Sequence, residues 1–183
     1  MRADARRNYD QLLDVASAVV TEEGADASLR DIARRAGVGL GTLYRHFPTR
    51  EALLEALLRT GFDALAARAA DLETSRPPGP ALEEWLRDFV ACAQRYRGVI
   101  ASMVAAIEDP ASALHASCVG MKTAGARLLT RAQAAGAARP DLDGADLFAL
   151  GGALAWVGDQ PALAARADHL FAIVADAIRA TPR

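Results

Sequence analysis

Apolar residues recur at three- and four-residue spacing along most of this 183-residue chain, and no run of alternating β-branched residues interrupts them. Alanine, the strongest helix former, is the commonest residue. Helix breakers divide the chain at Gly24, residues 37–39, Pro48, residues 77–80, Pro110, residues 136–140 and residues 158–161. The pattern predicts an all-α protein of about eight or nine helices.

Composition excludes several classes of protein. Hydrophobic residues make up 52% and charged residues 24% of the 19.3 kDa chain, which is typical of a globular protein and not of a disordered one. No stretch approaches the roughly 18 uncharged apolar residues of a spanning helix, so we expect no membrane insertion. Only Cys92 and Cys118 occur, and the N-terminus lacks the apolar stretch of a secretory signal. We therefore expect a cytoplasmic protein.

Positive charge is concentrated in one short segment. The formal net charge is −2, so the chain as a whole is not a basic coat for nucleic acid. Residues 28–50, however, contain five arginines and one acid, a local charge of +4. Residues 61–183 carry 12 basic and 14 acidic residues. Any contact with a polyanion is thus expected in the N-terminal segment.

A tight glycine turn is predicted to join two short helices in this basic segment. The first predicted helix of the chain ends before it, at Gly24. Ser28, with Asp31 three residues later, resembles a capping box with Asp in place of Glu. Gly37 stands where a helix commonly ends in the left-handed conformation, and the next helix is predicted over 40–47. Two short helices joined in this way form a helix-turn-helix, whose second helix enters the major groove of DNA.

Residues 28–54, SLRDIARRAGVGLGTLYRHFPTREALL, closely resemble the DNA-binding segment of TetR-family transcriptional regulators. The resemblance covers about the first 60 residues, and beyond them the family shares a helical architecture and little sequence. It implies a three-helix DNA-binding domain over 1–48 and a larger regulatory domain of five to six helices over 49–183. The implied function is that of a ligand-responsive repressor, not an enzyme, which binds a double-stranded DNA operator as a homodimer and needs no cofactor.

The resemblance also assigns the DNA-binding residues. In the family, Tyr44 and His46 usually meet phosphates, the arginine at the start of the fourth helix clamps another, and Arg30 stands where some members read a base. Many relatives have serine in place of Gly39 and lysine in place of Leu40, so base preference does not transfer. The implied DNA-binding set is Ser28, Arg30, Gly39, Leu40, Thr42, Tyr44, Arg45, His46 and Arg50.

The remainder of the chain is predicted to hold an effector. The fourth helix is predicted over 49–74, and further helices over 81–97, 98–108 and 111–135. In the family a small molecule bound among such helices shifts the fourth helix and changes the separation of the two recognition helices. The expected lining residues are Trp85, Phe89, Met103, Cys118, Met121 and Trp156, with Phe148 also suitable. Aromatic residues and methionines at helical spacing also fit a plain core.

Two long apolar faces near the C-terminus are expected to pair with their symmetry mates in a four-helix dimer interface, by the same resemblance. One helix supplies Leu147, Leu150, Gly151 and Leu154, and the last helix supplies Leu163, Ala167, Leu170 and Val174. Periodicity alone does not say which protein surface buries them. The alternative is an intramolecular core.

Two other functions compete with DNA binding. His115 and Cys118 lie one turn apart on a predicted helix, a spacing that suits a shared zinc ion or a base and nucleophile pair. Catalytic zinc requires three protein ligands, and the sequence offers no third one except the remote His169, so we predict no metal site. A protein-interaction module with a degenerate DNA-binding head is the other alternative.

Overall fold

The computed structural model describes residues 2–180, and the side chains of all of these except residues 2–6 and 97. Within this range the chain is all-helical, as predicted, with ten α-helices, one short 3₁₀ turn and no β-strand. The helices are α1 (Arg2–Glu23), α2 (Leu29–Arg35), α3 (Leu40–His46), α4 (Arg50–Ser75), α5 (Pro78–Arg95), α6 (Arg97–Ser102), α7 (Val104–Glu108), α8 (Ala113–Ala134), α9 (Gly144–Gly158) and α10 (Ala167–Ile178).

Two boundaries differ from the prediction for local reasons. Helix α5 begins at Pro78 and not at residue 81, because proline is well suited to the first turn of a helix. The predicted helix over 98–108 is two short helices that meet at Met103. The Met103 amide donates to the Ile100 carbonyl, a bond of 3.1 Å that closes α6, and the Ile107 amide donates to the Met103 carbonyl to begin α7.

The first compact unit contains the helices that position the basic segment. It comprises the chain through Thr60 together with Tyr96–His115. Its core includes side chains from all three N-terminal helices and from the start of α4, and the largest fully buried ones are Leu12, Ile32, Leu43, Leu53, Leu57, Leu58 and Leu114. A hydrogen bond of 2.7 Å between the hydroxyls of Ser17 and Tyr96 joins α1 to the residue that precedes α6.

The second unit comprises Gly61–Arg95 and the chain from Ala116 onward. Its largest fully buried side chains are Leu72, Trp85, Leu86, Leu128 and Leu147. Asp143 and Asp146 form a reciprocal capping box that begins α9. These two units are defined by their internal contacts, which do not test where the functional domains divide. The predicted functional division after residue 48 therefore stays a prediction. No helix in the described part of the chain is long and apolar enough to cross a membrane.

Candidate DNA interface

The turn between α2 and α3 has the geometry that the sequence predicts. Gly37 has a φ of 68°, in the left-handed region that disfavours side chains. Its amide donates to the Arg34 carbonyl, and the Val38 amide donates to the Ala33 carbonyl at 3.0 Å. A Cβ atom on Gly37 would meet nothing within 4 Å, so the requirement for glycine is conformational and not steric. These bonds fix the direction in which α3 leaves the turn.

Ser28 caps the start of α2, and the side chain of Asp31 pairs with two arginines. The Ser28 Oγ accepts a hydrogen bond of 3.4 Å from the Asp31 amide. The Asp31 carboxylate pairs with the guanidinium groups of Arg34 and Arg35. The pKa of Asp31 is lowered, first by the hydrogen bond from Arg34 and then by its charge and by Arg35. Ser28 is therefore a helix cap in this structure, and its contact with DNA stays a prediction.

Helix α3 has one buried face and one exposed face. Leu43 and Phe47 are buried, whereas Tyr44 is 46% exposed and Arg45 is exposed. Leu40 and Thr42 are half-buried, and the extended backbone of Gly39 precedes the helix. The buried pair anchors α3, and the exposed residues are directed away from the core. A helix held in this way can present a phenol and a guanidinium to a phosphate backbone.

His46 lies in an aromatic cluster with α1. Its ring is edge-on to the Tyr9 ring, with centroids 5.8 Å apart, and the rings of Tyr9 and Phe47 are 5.1 Å apart. These distances are in the range of favourable aromatic pairs. The cluster fixes the end of α3 against α1. Sequence reasoning missed Tyr9, because nothing in the local pattern of α1 distinguishes it from other half-buried residues.

Arg50 is engaged by the protein itself. Its Nη1 donates to the carbonyl oxygens of Ala25, at 2.9 Å, and Ala27, at 2.6 Å, so it holds the loop between α1 and α2. The phosphate contact that the family implies for Arg50 stays a prediction beside this structural role. Sequence reasoning missed the role because the two acceptors are backbone atoms.

The arginines of α2 differ in whether they form ion pairs. Arg35 pairs with Glu22 and Glu23, both at 3.0 Å, and thereby joins α2 to the end of α1. Arg30 and Arg45 are exposed, and the described part of the chain gives neither an ion pair. Arg34, although its side chain is 73% exposed, pairs with Asp31. Arg30 on α2 and Arg45 on α3 are thus the exposed arginines of the two helices for which the described residues offer no ion pair.

Comparison with known proteins agrees with this geometry. Residues 12–57 match the family described as bacterial regulatory proteins, tetR family. Residues 77–180 match the family described as transcriptional regulator SbtR-like, C-terminal domain. Together these two regions account for most of the chain.

Several solved structures resemble nearly the whole chain, and two of them are more than 30% identical to it. The TetR transcriptional regulator SCO0520 from Streptomyces coelicolor is 37% identical, with a TM-score of 0.78 over 95% of this chain and 99% of that one. The chain belongs to the TetR family of transcriptional regulators. A TetR transcription regulatory protein from Mycobacterium vanbaalenii is 32% identical over 97% of this chain and 98% of its own, with a TM-score of 0.71.

A curated relative matches over a shorter region. The HTH-type transcriptional repressor KstR2 of Mycobacterium tuberculosis is 42% identical over 66 residues, which is 36% of this chain. The match spans only 33% of the length of that repressor. As a TetR-family member, the chain is a DNA-binding transcriptional regulator and not an enzyme.

Within this TetR-family protein, the predicted effector residues do not form one group. Trp85 is fully buried and stacks on Phe89, with ring centroids 5.7 Å apart, and both rings meet Phe148 edge-on. Met121 and Cys118 are buried on α8, while Met103 belongs to the first unit. The assignment of Trp156 is corrected, because its side chain is 62% exposed on the outer face of α9. An exposed indole does not line an enclosed pocket.

The Trp85 ring is held closely on all sides. Its Nε1 donates to the Leu65 carbonyl of α4 at 2.9 Å. A Cβ atom added to Gly125 would lie 2.4 Å from the indole ring, so glycine is needed for α8 to approach. In the same way, a Cβ atom on Gly151 would lie 2.5 Å from the Phe89 ring. The two glycines allow α8 and α9 to pack against the rings of α5.

Three of the eight residues predicted for the dimer interface are corrected. Leu147, Gly151 and Leu154 are buried within the chain, because this face of α9 packs against α5. The other five are half-buried, and for them the interface stays a prediction: Leu150, Leu163, Ala167, Leu170 and Val174. The alternative of an intramolecular core therefore describes the inner face of α9.

The proposed zinc or nucleophile pair gains no support. The Nδ1 of His115 donates to the Ile107 carbonyl at 2.8 Å. Burial raises the pKa of the Cys118 thiol, and it raises the pKa of Cys92 to about 11, so both thiols are protonated at neutral pH. The described residues contain no group of three or more His, Cys, Asp or Glu side chains arranged for a metal ion.

Proposed function

We propose that this TetR-family protein is a homodimeric repressor that a small-molecule effector releases from its operator. The observation that carries the proposal is the two-faced α3, with Leu43 and Phe47 buried beneath exposed Tyr44 and Arg45. Repression as the sign of regulation is supported by the similarity to KstR2, which is described as a repressor.

The side chains of the helix-turn-helix suit different parts of the operator. The Tyr44 hydroxyl and the Arg45 guanidinium are good phosphate partners, which position the protein without reading sequence. Arg30 suits a guanine, whose O6 and N7 atoms accept a bidentate pair from arginine. Leu40 offers an apolar contact, which suits a thymine methyl group. In this proposal α3 lies in the major groove and α2 borders it.

The outer faces of α9 and α10 are the proposed dimer surface. Trp156 is 62% and Ile173 is 50% exposed in the single chain, and such large exposed apolar groups commonly mark an interface. The residues around Trp156 on the outer face of α9 are small and exposed, namely Ala145, Ala149, Gly152 and Ala153. Small side chains allow two helices to approach closely. In the proposed dimer, the two heads would bind half-sites about 34–36 Å apart, the spacing of successive major grooves.

The dimer surface is tested by charge substitution. Trp156→Glu and Ile173→Glu place carboxylates in the proposed apolar contact, so we expect a shift from dimer to monomer in analytical ultracentrifugation. Val119→Glu is the matched control, because Val119 is 46% exposed on α8 and lies outside this surface. The assignment of this surface would be contradicted if all three substitutions shifted the dimer to monomer equally. It would also be contradicted if the protein stayed dimeric in both test variants.

The effector is proposed to act on the aromatic cluster of Trp85, Phe89 and Phe148. The Trp85 indole donates a hydrogen bond to the Leu65 carbonyl, so displacement of the indole would act directly on α4. Helix α4 continues to Arg50, which holds the loop before α2. A coupling free energy of about 1–3 kcal/mol along this route would change operator affinity by about 5- to 150-fold.

The first test is fluorescence anisotropy of the protein on DNA from its own upstream region, with random-sequence competitor. We expect binding that survives competitor. If a dimer neutralises about eight phosphates, the slope of log affinity against log salt should be about −7. A slope near zero would contradict the phosphate contacts. Tyr44→Ala should weaken binding to all sequences, and Leu13→Ala, a change in the core of α1, should instead lower thermal stability.

A further inference from the structure

A cavity separate from the aromatic cluster lies between the start of α5 and the end of α10. Its volume is about 320 Å³, and none of Trp85, Phe89 and Phe148 lines it. The walls are mostly apolar and come from α5, the segment after α8, and α10. They are formed by Gly79, Pro80, Leu82, Leu86, Ala137, Ala175 and Ile178.

Backbone contacts hold the walls of this cavity in place. The segment after α8 is tied to the end of α10, because the Arg139 amide donates to the Ile178 carbonyl at 3.0 Å and the Ala180 amide donates to the Ala137 carbonyl at 3.3 Å. On the other side, a Cβ atom on Gly79 would lie 3.2 Å from the Ala137 Cβ. The cavity is therefore preformed, as ligand sites in proteins usually are.

Paired charges lie at the edge of the cavity. Glu83 and Arg179 belong to its lining and bond to each other at 2.8 Å. The Arg179 guanidinium also donates to Asp176 at 2.6 Å, and Glu83 lies 3.7 Å from Arg87. Within the lining, one guanidinium and one carboxylate thus balance each other, so the edge has no net charge.

We propose that this cavity binds an uncharged, largely apolar molecule that carries one hydroxyl or carbonyl group. A ligand carboxylate would compete with Glu83 for Arg179, and a ligand ammonium would compete with Arg179 for Glu83, so either would disrupt the existing pair. An uncharged carbonyl can accept from Arg179, and an uncharged hydroxyl can accept from Arg179 or donate to Glu83, while the pair persists. The neutral edge therefore selects against both kinds of charged ligand.

The cavity volume sets the size of the ligand. An apolar cavity of about 150 Å³ holds one benzene ring. A volume of about 320 Å³ therefore accommodates a molecule the size of two fused six-membered rings. The probe that fits both requirements is 2-naphthol, which is uncharged at neutral pH and has a single hydroxyl group.

The test measures binding of 2-naphthol by isothermal titration calorimetry, with the 2-naphthoate anion and protonated 2-naphthylmethylamine as charged analogues. We expect 2-naphthol to bind the purified protein at least about tenfold more tightly than either analogue. No heat of binding at about 1 mM 2-naphthol, or tighter binding of a charged analogue, would overturn the proposal.

Two variants fill the cavity from opposite walls. Ala175→Leu extends from α10 and Ala137→Leu extends from the segment after α8, and each should weaken 2-naphthol binding by at least about tenfold. Ala70→Leu, at an exposed position of α4, is the matched control and should bind as the parent does. Thermal unfolding identifies any variant that does not fold, in which case the other variant decides. Unchanged binding in a folded cavity variant would overturn the site.

The assay contains no DNA. Its failure therefore leaves the proposed repressor function intact, and a failure of operator binding leaves this site intact.

Discussion

Different kinds of contact are prominent inside each of the two units of the molecule. In the first, polar groups join successive helices: Arg50 donates to the carbonyls of Ala25 and Ala27, and Arg35 pairs with Glu22 and Glu23. In the second, rings pack into the space that glycines leave, as Trp85 does against Gly125. The loop before α2 therefore depends on hydrogen bonds and ion pairs, whereas the packing of α8 against Trp85 depends on side-chain volume.

This difference suits the two functions. A DNA-reading head must hold α2 and α3 at a fixed angle with little core beneath two seven-residue helices, and directional polar bonds fix an angle well. A domain that responds to a small molecule needs groups that an apolar ligand can displace. Close-packed interiors respond to small volume changes, because few voids exist to absorb them.

The largest effect is expected from Gly125→Ala. The added methyl group would lie 2.4 Å from the rigid indole of Trp85, so the free energy of unfolding should fall by about 3 kcal/mol, near the upper end for overpacking. Gly120→Ala on the same helix has nothing within 4 Å and should gain up to about 1 kcal/mol from helix propensity. Urea unfolding of both variants measures the difference. Similar stabilities would mean that volume does not limit this unit.

Arg50 provides the corresponding test of the first unit. Arg50→Lys keeps the charge but replaces the guanidinium, whose Nη1 donates to the carbonyls of both Ala25 and Ala27, so these two hydrogen bonds should weaken. We expect a loss of about 2 kcal/mol in the free energy of unfolding and weaker operator binding. Arg59→Met, an exposed change on the same helix, should have little effect on unfolding. Parent-like stability and affinity of the lysine variant would show that charge alone matters at this position.

The units also differ in what their sequences predicted. The helix-turn-helix depends on local signals, such as the left-handed Gly37 and the Ser28 cap, and both form as predicted. The inner face of α9 depends on which helix covers it. Periodicity marked Leu147 and Leu154 as buried but did not identify α5 as their partner, and the same limit misplaced Trp156 in an effector pocket.

Polar contacts to backbone atoms were beyond sequence reasoning for another reason. Arg50 bonds to carbonyl oxygens, which every residue has, so no residue type in the loop indicates them. The Glu22 and Glu23 partners of Arg35 are distant in sequence, and neither helix alone predicts the pair. Local conformation was therefore accessible from the sequence, and contacts between elements were not.

Arg30 sharpens the comparison within the first unit, because it is exposed while its neighbours on α2 are paired. Arg30→Ala should remove about 1–2 kcal/mol of discrimination at one base pair of the operator and leave thermal stability unchanged. Selection of bound fragments from a random DNA library measures the preference. Arg34→Ala is the matched control, since Arg34 already pairs with Asp31, and it should not change the preferred sequence. An unaltered preference in the Arg30 variant would exclude base reading by α2.

The smallest expected effect concerns Asp31, whose pKa is lowered first by the hydrogen bond from Arg34. A carboxyl group with a lower pKa in the folded state stabilises that state above its unfolded pKa, and this contribution is lost as the pH falls through the folded value. At about pH 6 the thermal midpoint of Asp31→Asn should therefore be lower than that of the parent. This gap in thermal midpoint should close as the pH falls below about 4. Thermal midpoints across this range measure the gap.

Because the pair of Asp31 with Arg34 is near the surface, added salt should also narrow the gap in thermal midpoint, whereas the loss of stability in Gly125→Ala should persist in salt. A gap that is independent of pH would assign the effect of Asp31 to helix geometry and not to its charge.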